Sequence, residues 1–325
     1  MSVKQAEIKL YGSANMQDTD TGTQGGASST SKKVEFKDIS PNGNLQIVSS
    51  AASGDSTQTV TVYGRDASGV AINEVKTLNN QTPVAMTAQT TWERLLKAIK
   101  SATTTGDIAV EAVTAETTGT AQAGTADDIQ LAAGASAVDD YYRGMVIRIT
   151  SGQGSGQIRQ IIAYNGTTKT ATVNYAYSTL PNATSVYRIG QGMVFDKSPV
   201  EIMEVRRPFY NAAAPATGTR DYYEKVFFKN TNGTTSLTSA IVKEASDPSG
   251  KISFGLASTL DDTASVTDRL TAPGGVTFDS SDKNVANSQN LTPGTAQGVW
   301  LKLSLAAGDA ATKTSYVPRM QGNTI

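Results

Sequence analysis

Apolar and polar residues alternate with a period of two in short runs along most of the chain, and clusters of Gly, Asn, Asp and Ser separate the runs. Successive side chains of a strand point to opposite faces, so each run can bury one face of a sheet. From Thr57 to Arg65, Val60, Val62 and Gly64 share one side while Thr59, Thr61 and Tyr63 take the other. The turn Asp66-Ala67-Ser68-Gly69 leads into a second run, Val70 to Leu78, and the pair predicts a hairpin. Runs at 34–39, 45–48, 106–113, 129–131, 145–150, 158–164, 170–173, 185–189, 200–205, 225–230, 237–242, 252–256, 276–278, 298–305 and 314–318 predict further short strands. In the run at 298–305, Val299, Leu301, Leu303 and Leu305 project to one side and Trp300, Lys302 and Ser304 to the other, as in a core strand. One segment departs from this period. Trp92, Leu95, Leu96 and Ile99 fall at i, i+3, i+4 and i+7 behind a capping Thr90 or Thr91, which predicts a short helix near 91–100; a strand is the alternative.

Turn and linker composition divides the chain into four parts. Residues 1–33 hold one short alternating run, Glu7 to Gly12, then a polar Gly/Ser/Thr stretch, and predict a flexible N-terminal arm. Such an arm is either a loose terminus or a segment that orders on a neighbouring subunit. Residues 34–113 predict a β-sandwich domain. Residues 114–190, opening on the small polar stretch 114–123, predict a small β-barrel or sandwich module, and 191–325 a further β-sandwich domain. The tetrapeptide Asn-Gly-Thr-Thr recurs at 165–168 and 232–235, read as shared turn chemistry. The fold class expected is all-β and multidomain.

Composition agrees with many short strands: hydrophobic (38%) and charged (18%) residues are both scarce, and Gly, Ser, Thr, Ala and Asn fill the difference. A formal net charge of -1 and recurring β-branched runs argue against whole-chain disorder. The same charge, with basic residues scattered, argues against nucleic acid or an anionic membrane as partner. The chain has no Cys and no His. Disulfides, thiolate metal sites and Ser-His or Cys-His nucleophiles are therefore excluded. No apolar signal core follows Met1 and no apolar stretch is long enough to span a bilayer, so a soluble protein made in a cytoplasm is expected.

Three groups of residues invite a chemical reading. Gly152-Gln153-Gly154-Ser155-Gly156 is a glycine-rich loop, but a strand follows it where a phosphate loop needs a helix, and no Lys-Ser or Lys-Thr completes it. The acidic pairs Asp127-Asp128, Asp139-Asp140 and Asp261-Asp262 offer oxygen donors for Ca²⁺ without the spacing of an EF-hand loop. Tyr141-Tyr142, Tyr175, Tyr177, Tyr222-Tyr223 and Phe227-Phe228 offer either a sugar platform or core plugs and subunit contacts. The sequons at Asn165, Asn182, Asn232 and Asn290 carry little meaning without a secretory signal. No catalytic, cofactor-binding or metal-binding residue is nominated, and a non-enzymatic role is expected.

The stretch from Gly124 to Ile189 resembles a small β module that recurs in tailed-phage structural proteins and tail fibres. The residues that carry the likeness are Asp139 to Met145, Ile149-Thr150-Ser151-Gly152, Gly154 to Gln157 and Tyr164 to Lys169. Lys225 to Asn230 with Gly298 to Leu303 resembles the immunoglobulin-like domain of phage virion proteins. The resemblance implies a virion structural protein and transfers no catalytic residues. Its length, its N-terminal stretch and the lack of a fibrous repeat favour a capsid decoration protein on the major capsid protein lattice, as a homo-oligomer such as a trimer. The alternative is a tail component, either a fibre or adhesin binding host glycan or a tube protein with added domains.

Overall fold

The computed structural model describes residues 2–35, 37–198, 200–310 and 316–324. Phe36, Thr314 and Ser315, each part of an expected strand, lie outside them. The chain opens with β1 (Ile8–Met16) and β2 (Gln24–Val34). It continues with β3 (Lys37–Gly43), β4 (Leu45–Ser49), β5 (Thr59–Asp66), β6 (Ala71–Thr77), β7 (Val84–Ala85), β8 (Trp92–Lys100) and β9 (Ile108–Ala112). Next come β10 (Thr117–Thr120), β11 (Ala123–Gly124), β12 (Asp128–Gln130), β13 (Val146–Ser151), β14 (Ile158–Asn165), β15 (Thr170–Val173) and β16 (Val186–Gly190). After β17 (Gly192–Phe195) and β18 (Glu204–Arg206) follow β19 (Thr219–Asn230), β20 (Thr238–Ser246), β21 (Ile252–Leu260), β22 (Ser265–Val266), β23 (Lys283–Asn284), β24 (Ala296–Ala306) and β25 (Val317–Asn323). The protein is all-β, built from several separate sheets. Among the described residues, no helix is long and apolar enough to cross a membrane.

Two compact units divide the chain: residues 1–34 with 207–325, and residues 35–206. In the first unit β19 is flanked by β1 and β24, with β2 beyond β1 and β21 beyond β24. The register sets Tyr222 against Leu303 and Val226 against Val299, so these share one face of the sheet. That face, with Ala240 and Val242 of β20 and Leu237 just before it, forms the core. The alternation read at 298–305 is thus the inward face of β24.

The expected N-terminal arm is instead a paired hairpin. β1 runs antiparallel to β19, with Ile8 opposite Asn230, and β2 returns along β1. Its small polar residues suit a strand whose backbone is satisfied by ladder bonds and whose neighbours leave little room. At Gly25 a Cβ would lie 2.7 Å from the Trp300 ring, so the glycine marks close packing and not freedom.

In the second unit, β18 and β3 pair one edge of β8, followed by β5 and β6; a second sheet has the order β17-β9-β4-β7. The expected helix at 91–100 is the strand β8. Two register shifts against β5 insert extra residues into it, so that Trp92, Leu95 and Ala98 fall opposite Asp66, Gly64 and Val62. Bulges thus produce a three-residue spacing on one strand face, which imitates a helix period.

Between the paired strands β9 and β17 the chain builds a separate sheet of order β10-β16-β13-β14-β15-β12-β11. Only Ala121 and Gln122 separate β10 from β11; the Ala121 N–H donates to Ser185 O and the Gln122 N–H to Gln130 O, both at 2.9 Å. The two ends of the sheet therefore meet and close a small barrel, filled by Ile129, Ile147, Ile149, Ile161, Tyr164 and Tyr187 among others. The unit boundaries fall at 34/35 and 206/207, whereas composition placed them at 33/34, 113/114 and 190/191. Pairing of β9 with β17 holds both flanks of the barrel in one sandwich, and no linker signal reports such a pairing.

Candidate functional site

The glycine loop turns β13 into β14, and Gly152, Gly154 and Gly156 all take positive φ. Its amides are engaged within the barrel. The Gly156 N–H donates to Ile149 O at 2.8 Å, Ser155 N–H to Gly152 O at 3.2 Å, and Gln153 N–H to Thr184 Oγ1 at 3.2 Å. A phosphate cradle needs such N–H groups aimed at the anion, and here they tie the hairpin to the 182–185 turn. Gly152 is further required by space, since a Cβ would come 1.8 Å from the Thr184 carbonyl oxygen.

The acidic pairs hold backbone in place. Asp139 accepts the Gly166 N–H at 2.8 Å, and Asp140 accepts the Tyr164 N–H at 3.1 Å while pairing with Arg143 at 3.2 Å. Asp128 accepts the Thr172 hydroxyl at 2.6 Å, and the Asp127 carbonyl accepts the Val173 N–H at 2.9 Å. Asp261 accepts the Ala296 N–H at 2.9 Å, and Asp262 pairs with the buried Lys225. Among the described residues, no three or more acidic side chains gather where they would hold a metal ion. The Asn165 and Asn232 side chains both accept N–H groups of the two threonines that follow, so the repeated tetrapeptide is one Asx turn used twice.

The aromatic residues do not share a surface. Tyr142 and Tyr177 plug the barrel, Tyr222 and Phe228 lie in the first unit's core, and Phe227 is buried on the opposite face of β19. Tyr142 packs edge-on against Tyr164 with ring centroids 4.8 Å apart. Only Tyr141 of the set is strongly exposed, and its hydroxyl donates to Glu116 at 2.6 Å.

Sequence reasoning passed over a concentration of buried charge in the second unit, the seam where the barrel meets the sandwich. Glu111, fully buried on β9, lies 2.9 Å from Arg188 and 3.2 Å from Arg148, and accepts a bond from Gln46 at 2.8 Å. Arg188 also donates to the Val113 carbonyl at 2.7 Å. Just before β9, Asp107 accepts the Lys197 N–H at 2.8 Å and pairs with Arg159 at 3.2 Å. The Arg159 guanidinium stacks 4.0 Å from the Tyr175 ring centroid and donates to the carbonyls of Tyr175 and Ala176. Burial pushes the Asp107 carboxyl up against the pull of Tyr175, Lys197 and Arg159, and burial with the Asp107 charge raises the Tyr175 phenol. Between the two charged groups Val146 and Ile158 of the barrel pack on Val48, Ala109 and Val194.

Three arginines from β13, β14 and β16 thus meet two carboxylates of the sandwich across an apolar strip. Buried charges held by several partners fix one geometry, because any other leaves a desolvated charge unpaired. The arrangement orients a domain. The only signal in the sequence was a charged residue at the middle of each apolar run: Glu111 in 108–112, Arg148 in 146–149 and Arg188 in 186–189. Comparison of the chain with family models, curated proteins and solved structures gave no match.

Proposed function

We propose that the chain is a non-enzymatic structural protein of a tailed-bacteriophage virion, a decoration protein that binds the major capsid lattice as a homo-oligomer. The observation that carries this reading is the barrel. The residues that resemble the phage module are those that set its turns: Asp139 and Asp140 on the 164–166 backbone, Gly144 and Gly152 at positive φ, and Asn165 in its Asx turn. The seam supports it further, since a protein that presents a module on a lattice needs that module at a fixed angle. The immunoglobulin-like character of the C-terminal part belongs to the same proposal, supported by the inward alternation of Val299, Leu301 and Leu303 on β24. Neither nucleic acid nor membrane is a partner in this reading, in keeping with the near-neutral charge.

Antibody labelling of separated heads and tails, viewed by electron microscopy, tests it. Label on heads that lack tails is the expected result. Label confined to tails transfers the chain to the tail, as fibre, adhesin or extended tube protein, and its absence from virions ends the proposal.

A further inference from the structure

We propose that β6 joins two copies of this chain edge to edge, antiparallel, in a register centred on Val75. The inference gives a surface to the homo-oligomer of the proposed function and rests on that reading. β6 is the terminal strand of its sheet, and among the described residues no strand pairs with its outer edge. Its pairing with β5 fixes where its backbone groups point. The Asp66 N–H donates to Val70 O at 3.0 Å and the Leu78 N–H to Gln58 O at 2.9 Å, so the hydrogen-bonded pairs fall on even-numbered residues of β6. Ala71, Asn73, Val75 and Thr77 therefore turn their N–H and C=O away from β5, toward the open edge. The same four residues are exposed, and Val75 keeps 54% of its surface.

Several other sheet ends are guarded in the usual ways. β21 is bridged at Phe254 by Asp279, β25 carries Pro318 and Arg319, β7 has two residues, and the barrel closes on itself. On β6 the charged side chains, Glu74 and Lys76, alternate with the outward-facing backbone positions, Glu74 being buried under the N–H groups of 87–89, while the residues whose backbone faces the open edge are uncharged.

Charge then selects the partner and the register. Two copies of β6 must oppose outward-facing backbone with outward-facing backbone, which allows two-fold centres at Asn73, Glu74, Val75 or Lys76. Centres at Glu74 or Lys76 set like charges opposite each other, which destabilises a sheet. A centre at Asn73 leaves Glu74 across from Ile72. Only the Val75 centre sets Glu74 across from Lys76 of the second copy, twice, and Val75 against Val75. Within each chain Lys76 already lies 2.9 Å from Glu74, so the pairing makes an alternating group of four charges.

The full chain lacks Cys, so introduced thiols report register without background. The expected particle sediments at twice the 34.0 kDa chain mass. Val75→Cys alone should cross-link to itself on mild oxidation, because opposed residues lie about 5.5 Å apart at Cα, within reach of a disulfide. Asn73→Cys alone should not, but mixed with Thr77→Cys it should. Val75→Lys should return the protein to monomer with its far-ultraviolet circular dichroism unchanged and a melting temperature that no longer depends on protein concentration, whereas Val75→Thr should keep the dimer. A monomer without cross-links, a cross-linking pattern of another register, or an oligomer that survives Val75→Lys would overturn the inference. These results are read on the isolated chain: a β6 dimer absent from heads would sink the decoration reading alone, and a monomer found on heads would sink this one alone.

Discussion

Glu111 shows how single residues are used in this protein. It is fully buried in an apolar strand and compensated by Arg148, Arg188 and Gln46. Removing one partner of a buried ion pair leaves uncompensated charge and costs about 3–5 kcal/mol. Glu111→Gln should therefore lower the stability of the second unit by about that amount in urea denaturation, with the far-ultraviolet circular dichroism of the folded protein unchanged. A loss below about 1 kcal/mol would place Glu111 among weak surface pairs and contradict the reading of the seam. Local residue roles were legible in the sequence wherever chemistry acts over a few positions. The turn asparagines, the loop glycines and several turn-holding aspartates sit as their neighbours suggested. The seam was not legible, because Glu111, Arg148 and Arg188 meet only after three separate strands are placed.

At the scale of elements, alternation located most strands, and failed where the period was disturbed from outside the segment. The helix reading of 91–100 fails because bulges against β5 change which residues face inward, and the flexible reading of β2 because Gly25 answers to packing under Trp300. Loops are pinned to these strands by carboxylates that titrate together. Burial raises the Glu74 carboxyl, but the N–H groups of Thr87, Ala88 and Gln89 and the Lys76 ammonium outweigh it and hold the group at about 2, against 4.5 ordinarily. Glu201 is likewise brought to about 2 against burial, by Lys100, Lys197 and the Thr104 N–H. Both are depressed in the folded state, so their stabilisation is fully present above pH 4.5, shrinks as the pH falls, and is gone near pH 2. Thermal melts across that window should show falling stability, and Glu201→Gln or Glu74→Gln should each flatten the decline. A pH dependence in both variants unchanged from that of the wild-type protein would show that these contacts do not form.

Over the whole molecule, the pairing of residues 8–12 with 226–230 makes one unit from the two ends of the chain. Contacts of that sequence separation leave no local trace, so the domain plan was the part of the fold least open to sequence reasoning. What the sequence did carry was the all-β class and the absence of His and Cys, and the structure adds that the acidic pairs and the glycine-loop amides hold turns and strand ends. The central claim of the proposal is that a chain organised in this way acts by presenting rigid surfaces. Cosedimentation of the purified chain with tail-less heads assembled without it tests that claim most directly. The account predicts saturable binding at a fixed ratio to the major capsid protein; a chain left in the supernatant with heads, or pelleting only with isolated tails, would contradict it.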